Sequence, residues 1–338
     1  MSIFRLISML TIGLMMASAC SNRSESPAAG RIRILLDTDA NNELDDQHAI
    51  AYMLLSGDVF QVEGITVNRT SNGGDIDEHA REAERIVKLC GLFPELQVHR
   101  GASGTFEEIR GHLAEPDFDG VDAVRHIINR ANAPSNRKLV LTPVGKLTNV
   151  ALALEKDPGI AQRLRIVWLG SNYPQPGEYN QTNDEPALNY ILNSDVDLEI
   201  VLVRYGEASG TDAVRVTLEE IHENMPGKGP VASAPVTGRH GGTFRYFGDY
   251  SVNLFEHADL YGEPASRALF DMAAVAIVKN PAWAVPRSIP APILQDSEWV
   301  DRPNNQREIV LWEDFDRVAI VADLFATMND HRLTDITR

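Results

Sequence analysis

Residues 31–47 read Arg31-Ile32-Arg33-Ile34-Leu35-Leu36-Asp37-Thr38-Asp39-Ala40-Asn41-Asn42-Glu43-Leu44-Asp45-Asp46-Gln47. Five residues suited to a buried strand, 32–36, run straight into four aspartates and one glutamate between positions 37 and 46. Residues 45–56 then carry a helical pattern, and 61–67 a second strand. Strand, helix, strand is the unit of a parallel sheet, because parallel neighbours need a crossover between them.

The pattern continues outward. Residues 77–90 place Ala80, Ala83, Ile86, Val87 and Cys90 at helical spacing. Further strands are expected near 139–141, 166–169, 199–203 and 309–311. Helices are expected over 122–130, 147–156, 186–193, 269–279 and 317–328. The last has Val318, Val321, Leu324, Phe325 and Met328 on its apolar face. The stretch 226–250 is glycine-rich and weakly patterned, and reads as loop. The fold class is therefore α/β: an open, mostly parallel sheet with helices on both faces, Rossmann-like. In such sheets ligands sit beyond the carboxyl ends of the strands.

Composition narrows the function. The 338 residues hold 48 acidic and 31 basic side chains, a formal charge of −17. That balance argues against non-specific binding to nucleic acid or anionic lipid. Two cysteines exclude a disulfide scaffold. Arg5 precedes a short apolar run, and Ala17-Ser18-Ala19-Cys20 resembles a bacterial lipobox whose first position is usually Leu. Residues 1–19 are expected to be a lipoprotein signal peptide, with lipidation at Cys20. A plain signal peptide cut near Ala19 is the alternative. Residues 20–30 form a polar tether. The expected location is the cell envelope, with the lipid anchor as the sole membrane contact. Residues 31–338 then form one catalytic domain, in which Cys90 is a buried thiol.

The acidic loop carries the chemistry. One such Asp is unremarkable as a helix cap. Several like charges at the end of a buried strand repel, and need a counter-ion. A hard divalent cation with oxygen ligands is the natural one. The loop is not an EF-hand, since its sixth position lacks Gly. Cys/His pairs suited to zinc are absent.

Asp37-Thr38-Asp39 with Asp45-Asp46 resembles the D-x-D-P-G-x-D-D signature of the inosine–uridine-preferring nucleoside hydrolases. Here two extra residues lie between the second and third Asp, and Asn41-Asn42 stands where Pro-Gly is usual. Four further blocks follow in the family's order. They are Gly64-Ile65-Thr66-Val67 with Asn72; Thr142-Pro143-Val144-Gly145-Lys146-Leu147-Thr148-Asn149-Val150; Glu178-Tyr179-Asn180 with Asp184 and Ala187; and Asp271 with Ala273-Ala274-Val275-Ala276.

The resemblance implies Ca2+-dependent hydrolysis of a ribonucleoside to ribose and free base. Carried over, Asp39 is the general base and a metal ligand. Asp46, Asp271 and the Val144 carbonyl complete the implied ligands. Asp45, Asn72, Glu178 and Asn180 match ribose-binding positions, although Glu178 and Asn180 also suit a helix cap. The partner is a small nucleoside or riboside, and the family suggests a homo-oligomer. Two departures matter. The longer loop offers Asn41, Asn42 or Glu43 to the site. The family's leaving-group His is Phe270 here, which cannot protonate a base; His112 and His240 are substitute candidates. Trp168, Tyr173, Phe244, Tyr246 and Phe247 are candidates to stack on a base. Rival readings are a hydrolase of another glycoside and a non-catalytic nucleoside- or sugar-binding lipoprotein. Retention of both Asp39 and Asp46 favours an enzyme.

Overall fold

β1 (Ile32–Thr38) is covered on both faces: Ile34 and Leu36 enter one apolar cluster and Leu35 the other. This explains its unbroken apolar sequence. A computed structural model describes residues 30–336 of the chain. The signal segment 1–19, Cys20 and the tether up to residue 29 lie outside the described residues.

β1 pairs in parallel with β2 (Phe60–Val67) on one side and with β4 (Leu139–Pro143) on the other. β3 (Val98–Arg100) and the strand Asp335–Ile336 extend the β2 side. β5 (Leu164–Leu169), β6 (Asp197–Val201) and Glu308–Glu313 extend the β4 side, all parallel. Val285–Pro290 closes that edge antiparallel. It carries two prolines, which an edge strand tolerates because its outer N–H groups have no neighbour to serve.

From β1 the chain order runs 1-2-3 in one direction and 4-5-6 in the other. The crevice between the carboxyl ends of β1 and β4 is therefore a topological switch point.

All eleven residues of α1 (Asp45–Leu55) are buried. α1 packs against α2 (Ile76–Leu89), the helix Phe270–Lys279 and the helix Arg317–Asn329. Contact with Phe270–Lys279 brings residues some 225 positions apart to one place. α2 is amphipathic and opens with a capping box between Asp75 and Glu78, worth about 1 kcal/mol for such a cap.

Every expected strand and helix is present, with ends shifted by a residue or two. Two expectations need correction. The stretch 226–250 is not all loop: it holds the hairpin Val236–Thr237/Thr243–Phe244 and the start of the helix Phe247–Glu256. Its apolar face is aromatic and short, so it shows little periodicity. Val318 is 71% exposed. The buried face of its helix is centred on Ile320, Val321, Leu324 and Met328, and Val318 falls outside that arc. Cys90 is a free, fully buried thiol. Among the described residues no helix is long and apolar enough to cross a membrane.

Candidate active site

The first aspartate of the loop has a structural task. Asp37 is fully buried and accepts hydrogen bonds from Thr66 Oγ1, from Asn68 Nδ2 at 2.9 Å and from Asn149 Nδ2 at 2.7 Å. It thus ties β1 to β2 and to the helix Thr148–Lys156. Burial raises its carboxyl, and the three donors oppose that rise.

Beyond Asp37 the chain enters a cavity of about 490 Å³. Its lining includes Asp39 from the end of β1, Asp45 and Asp46 from the first turn of α1, and Asp271 from the first turn of Phe270–Lys279. Oxygens of Asp45, Asp46 and Asp271 all lie within 4.8 Å of one another, with all three residues buried. The Asp271 N–H donates to Asp45 Oδ2 at 3.4 Å, and Thr38 Oγ1 donates to Asp46. Asp39 stands beside this trio. Its Oδ2 accepts from Thr70 Oγ1 and from Asn42 Nδ2 at 3.4 Å. A Cβ at Gly145 would come within 2.9 Å of Asp39 Oδ1, so the close approach of the β4 loop requires glycine.

Crowding shows in the acidities. Burial pushes Asp39 up to about 6, helped by the charge of Asp37. Burial and the charge of Asp39 push Asp45 to about 7, against hydrogen bonds from backbone N–H groups. Asp46 and Asp271 are raised well above the carboxylate range, first by burial and then by the neighbouring aspartates. Buried carboxylates that oppose one another in this way are a donor set for a hard cation.

The structure brings all eight candidate site residues to this cavity: Asp39, Asp45, Asp46, Asn72, Val144, Glu178, Asn180 and Asp271. Glu178 combines the two roles weighed for it. It lines the cavity and caps the helix Tyr179–Asn183, accepting from the N–H groups of Ser171, Asn180 and Gln181. Burial raises it and these donors restrain it. Asn180 Nδ2 donates to the carbonyls of Val144 at 2.8 Å and Leu169 at 3.1 Å. It therefore fixes the very carbonyl implied as a ligand. Asn72 is exposed at the rim, where its N–H donates to the Tyr179 hydroxyl at 3.0 Å.

Other candidates are elsewhere. His112 is exposed and bonded to Glu115. His240 lines a neighbouring cavity and stacks on His257. Trp168 and Phe247 are wholly buried; neither they nor Tyr173, Phe244 and Tyr246 line the site cavity. The aromatic lining comes instead from Tyr179, Tyr205, Tyr261 and Phe270. Of the loop residues, Asn42 and Glu43 reach the cavity, while Asn41 bonds to the Gly73 carbonyl. The sequence reading missed Thr70, Arg215 and Arg267. Thr70 lies close behind the second strand, and its polar character there was the available signal.

A sugar-sized acidic cavity, floored by carboxylates suited to a cation, thus lies at the switch point of a parallel sheet. The chain matches the sequence profile of the inosine-uridine preferring nucleoside hydrolases over residues 34–323, and it belongs to that family. An inosine-uridine preferring nucleoside hydrolase of Leishmania major is 24% identical over 212 residues, which cover 56% of this chain and 66% of that one. The aligned part thus spans just under two thirds of that relative. A plant nucleoside hydrolase superposes with a TM-score of 0.68 at 18% identity, over 89% of this chain and 99% of its own. A purine-preferring ribonucleoside hydrolase from Gardnerella vaginalis gives 0.64 at 20% identity, over 88% and 98%. At these identities the structural likeness is one of fold. The family is metal-dependent, and the aspartate trio is an acidic cluster able to hold a metal.

Proposed function

We infer that the protein hydrolyses the N-glycosidic bond of a ribonucleoside, releasing ribose and the free base, with Ca2+ held by its aspartates. The observation that carries this reading is the convergence of Asp39, Asp45, Asp46 and Asp271 with Glu178 and Asn180 in one cavity. The donors are all oxygen, which suits a hard cation. Asp39, Asp46, Asp271 and the Val144 carbonyl are the proposed ligands, and Asp45 lies close enough to join them. A divalent cation bound there would lower the pKa of a water and align vicinal hydroxyls.

The remaining work belongs to the chain. Asp39, beside the aspartate trio at the end of β1, accepts the proton of the attacking water. Asn72, Asp45, Glu178 and Asn180, which line the same cavity, would bind the sugar hydroxyls. As the glycosidic bond lengthens the ring gains positive charge, and the buried carboxylates stabilise it. The test is metal-stripped protein incubated with inosine, uridine, adenosine and 4-nitrophenyl riboside, with and without Ca2+, assayed for reducing sugar. Calcium-dependent release of ribose supports the reading. Tight nucleoside binding without turnover would turn it into a receptor.

We also propose export and anchoring through Cys20. Wild type should fractionate with membranes, and Cys20→Ser should lose lipid labelling. Recovery of unprocessed wild type from the cytoplasm would refute anchoring.

A further inference from the structure

The proposed reaction leaves a base with an extra electron pair, and Phe270 cannot protonate it. Among the described residues lining the cavity there is no histidine or lysine. The cations there are Arg215 and Arg267. Arg215 is spent on its own strand pair: Nε and Nη2 donate to Ser266 and Nη1 to Asp212. Arg267 is held differently. One Nη pairs with Glu43 and the other donates to the Asp259 carbonyl at 3.2 Å. Its guanidinium lies over the ring of Tyr261, 5.5 Å from the centroid. Nε of Arg267 has no hydrogen-bond partner among the described residues.

Position matters as much as charge. Arg267 lies three residues before Phe270 and four before Asp271, in one segment that lines the cavity throughout its polar and aromatic part. Phe270 meets the edge of Tyr205 at 5.9 Å. Glu43 comes from the lengthened loop between Asp39 and Asp45. Arg239 Nη1 fastens that loop by donating to the carbonyls of Asn41 at 3.1 Å and Glu43 at 3.0 Å. The longer loop and the missing acid, separate oddities in the sequence, are thus neighbours in space.

We propose that Arg267 receives the departing base as an anion, and that Glu43, carried in by the longer loop, is its positioning residue. This rests on the hydrolase reading above. The C1′–N bond breaks and its electron pair stays with the base. Water oxygen bonds to C1′, and the water's proton goes to Asp39. In a 6-oxopurine or uracil the new charge spreads to an exocyclic oxygen, which a guanidinium N–H meets well. Solvent protonates the base after release. Adenine has no such oxygen and gains less.

The experiment measures kcat/KM of wild type, Arg267→Gln, Arg267→Lys and Glu43→Gln on inosine, adenosine and 4-nitrophenyl riboside. Nitrophenolate departs without assistance, so it reports on everything except leaving-group help. Arg267→Gln should lower inosine turnover about 100-fold, the scale for losing one donor to developing charge. Nitrophenyl riboside should change by less than about threefold on the same scale. Arg267→Lys should recover part of the loss. Glu43→Gln should lower kcat on inosine with little change in KM, and free guanidinium should partly rescue Arg267→Gln. Equal losses on inosine and nitrophenyl riboside, or no loss on inosine, would overturn the assignment while leaving the hydrolase reading intact. A wild type that cleaves neither riboside overturns both.

Discussion

The two ends of β1 treat buried charge in opposite ways. Near its start, Arg33 Nε donates to Glu63 Oε1 at 2.7 Å, and Arg130 Nε donates to Glu63 Oε2 at 2.7 Å. Arg33 also donates to the Arg130 carbonyl at 2.7 Å. The Glu63 side chain is only 1% exposed, yet it is compensated twice over. At the carboxyl end, Asp39, Asp45, Asp46 and Asp271 are equally buried and face one another without a basic partner of that kind. One end spends its charges on holding β1, β2 and the helix Val121–Asn132 together. The other gathers carboxylates into an acidic cluster able to hold a metal.

That contrast can be broken by substitution. The largest effect is expected for Asp39→Asn, which removes the proposed base and keeps an oxygen in place. Turnover should fall by about two to four orders of magnitude, while ribose affinity falls far less. Matched losses of both would mean Asp39 holds the sugar rather than moving a proton. Next comes Glu63→Ala. Removing one partner of a buried ion pair costs about 3–5 kcal/mol, and two arginines would be stranded here. Denaturant unfolding should show this loss with turnover on a per-folded-molecule basis unchanged.

Calcium is expected to sharpen the difference. At about 100 times its dissociation constant it should stabilise metal-stripped protein by about 2.7 kcal/mol, seen as a raised Tm. An unmoved melting curve at millimolar Ca2+ would remove the cation from the site. Asp45→Asn should act in the opposite sense to Glu63→Ala. By relieving repulsion it should raise the Tm of metal-free protein by about 2–4 °C and weaken the calcium response. A lower Tm would show that Asp45 is compensated after all.

The smallest effect belongs to the compensated end. His126 is held neutral: burial, then the charge of His99, lower it to about 4, while its Nε2–H donates to the Glu63 carbonyl at 3.0 Å and the ring stacks on His99 at 3.8 Å. Unfolded, it takes up a proton near 6.5. Its contribution is therefore complete above about 6.5 and is lost as pH falls towards about 4. His126→Gln should lose less Tm between pH 7 and pH 5 than wild type. An unchanged acid slope would assign that sensitivity elsewhere.

Much of this was legible in order along the chain. Strand and helix periodicity placed the sheet, because local pattern survives in one dimension, and the cavity residues beyond the aspartate run were placed by the resemblance of four following blocks to the family. The hairpin at Val236–Thr237 and the helix after it were not legible, since short aromatic elements carry little period. Val318 misled because one apolar residue can sit beside a helical arc without belonging to it.

Sequence alone supplied the acidic run with Asp39, Asp45 and Asp46, the residue types a hard cation needs, and the family resemblance added Asp271 from far along the chain. Tertiary structure decided what each one faces. It turned Asp37 away into a hydrogen-bonded staple, drew Asp45 into the trio through packing of α1 on Phe270–Lys279, and set Glu43 against Arg267 beside Phe270. The physical reason is range. Propensity and patterning act over a few residues, whereas charge compensation depends on distances across the fold, which only packing fixes.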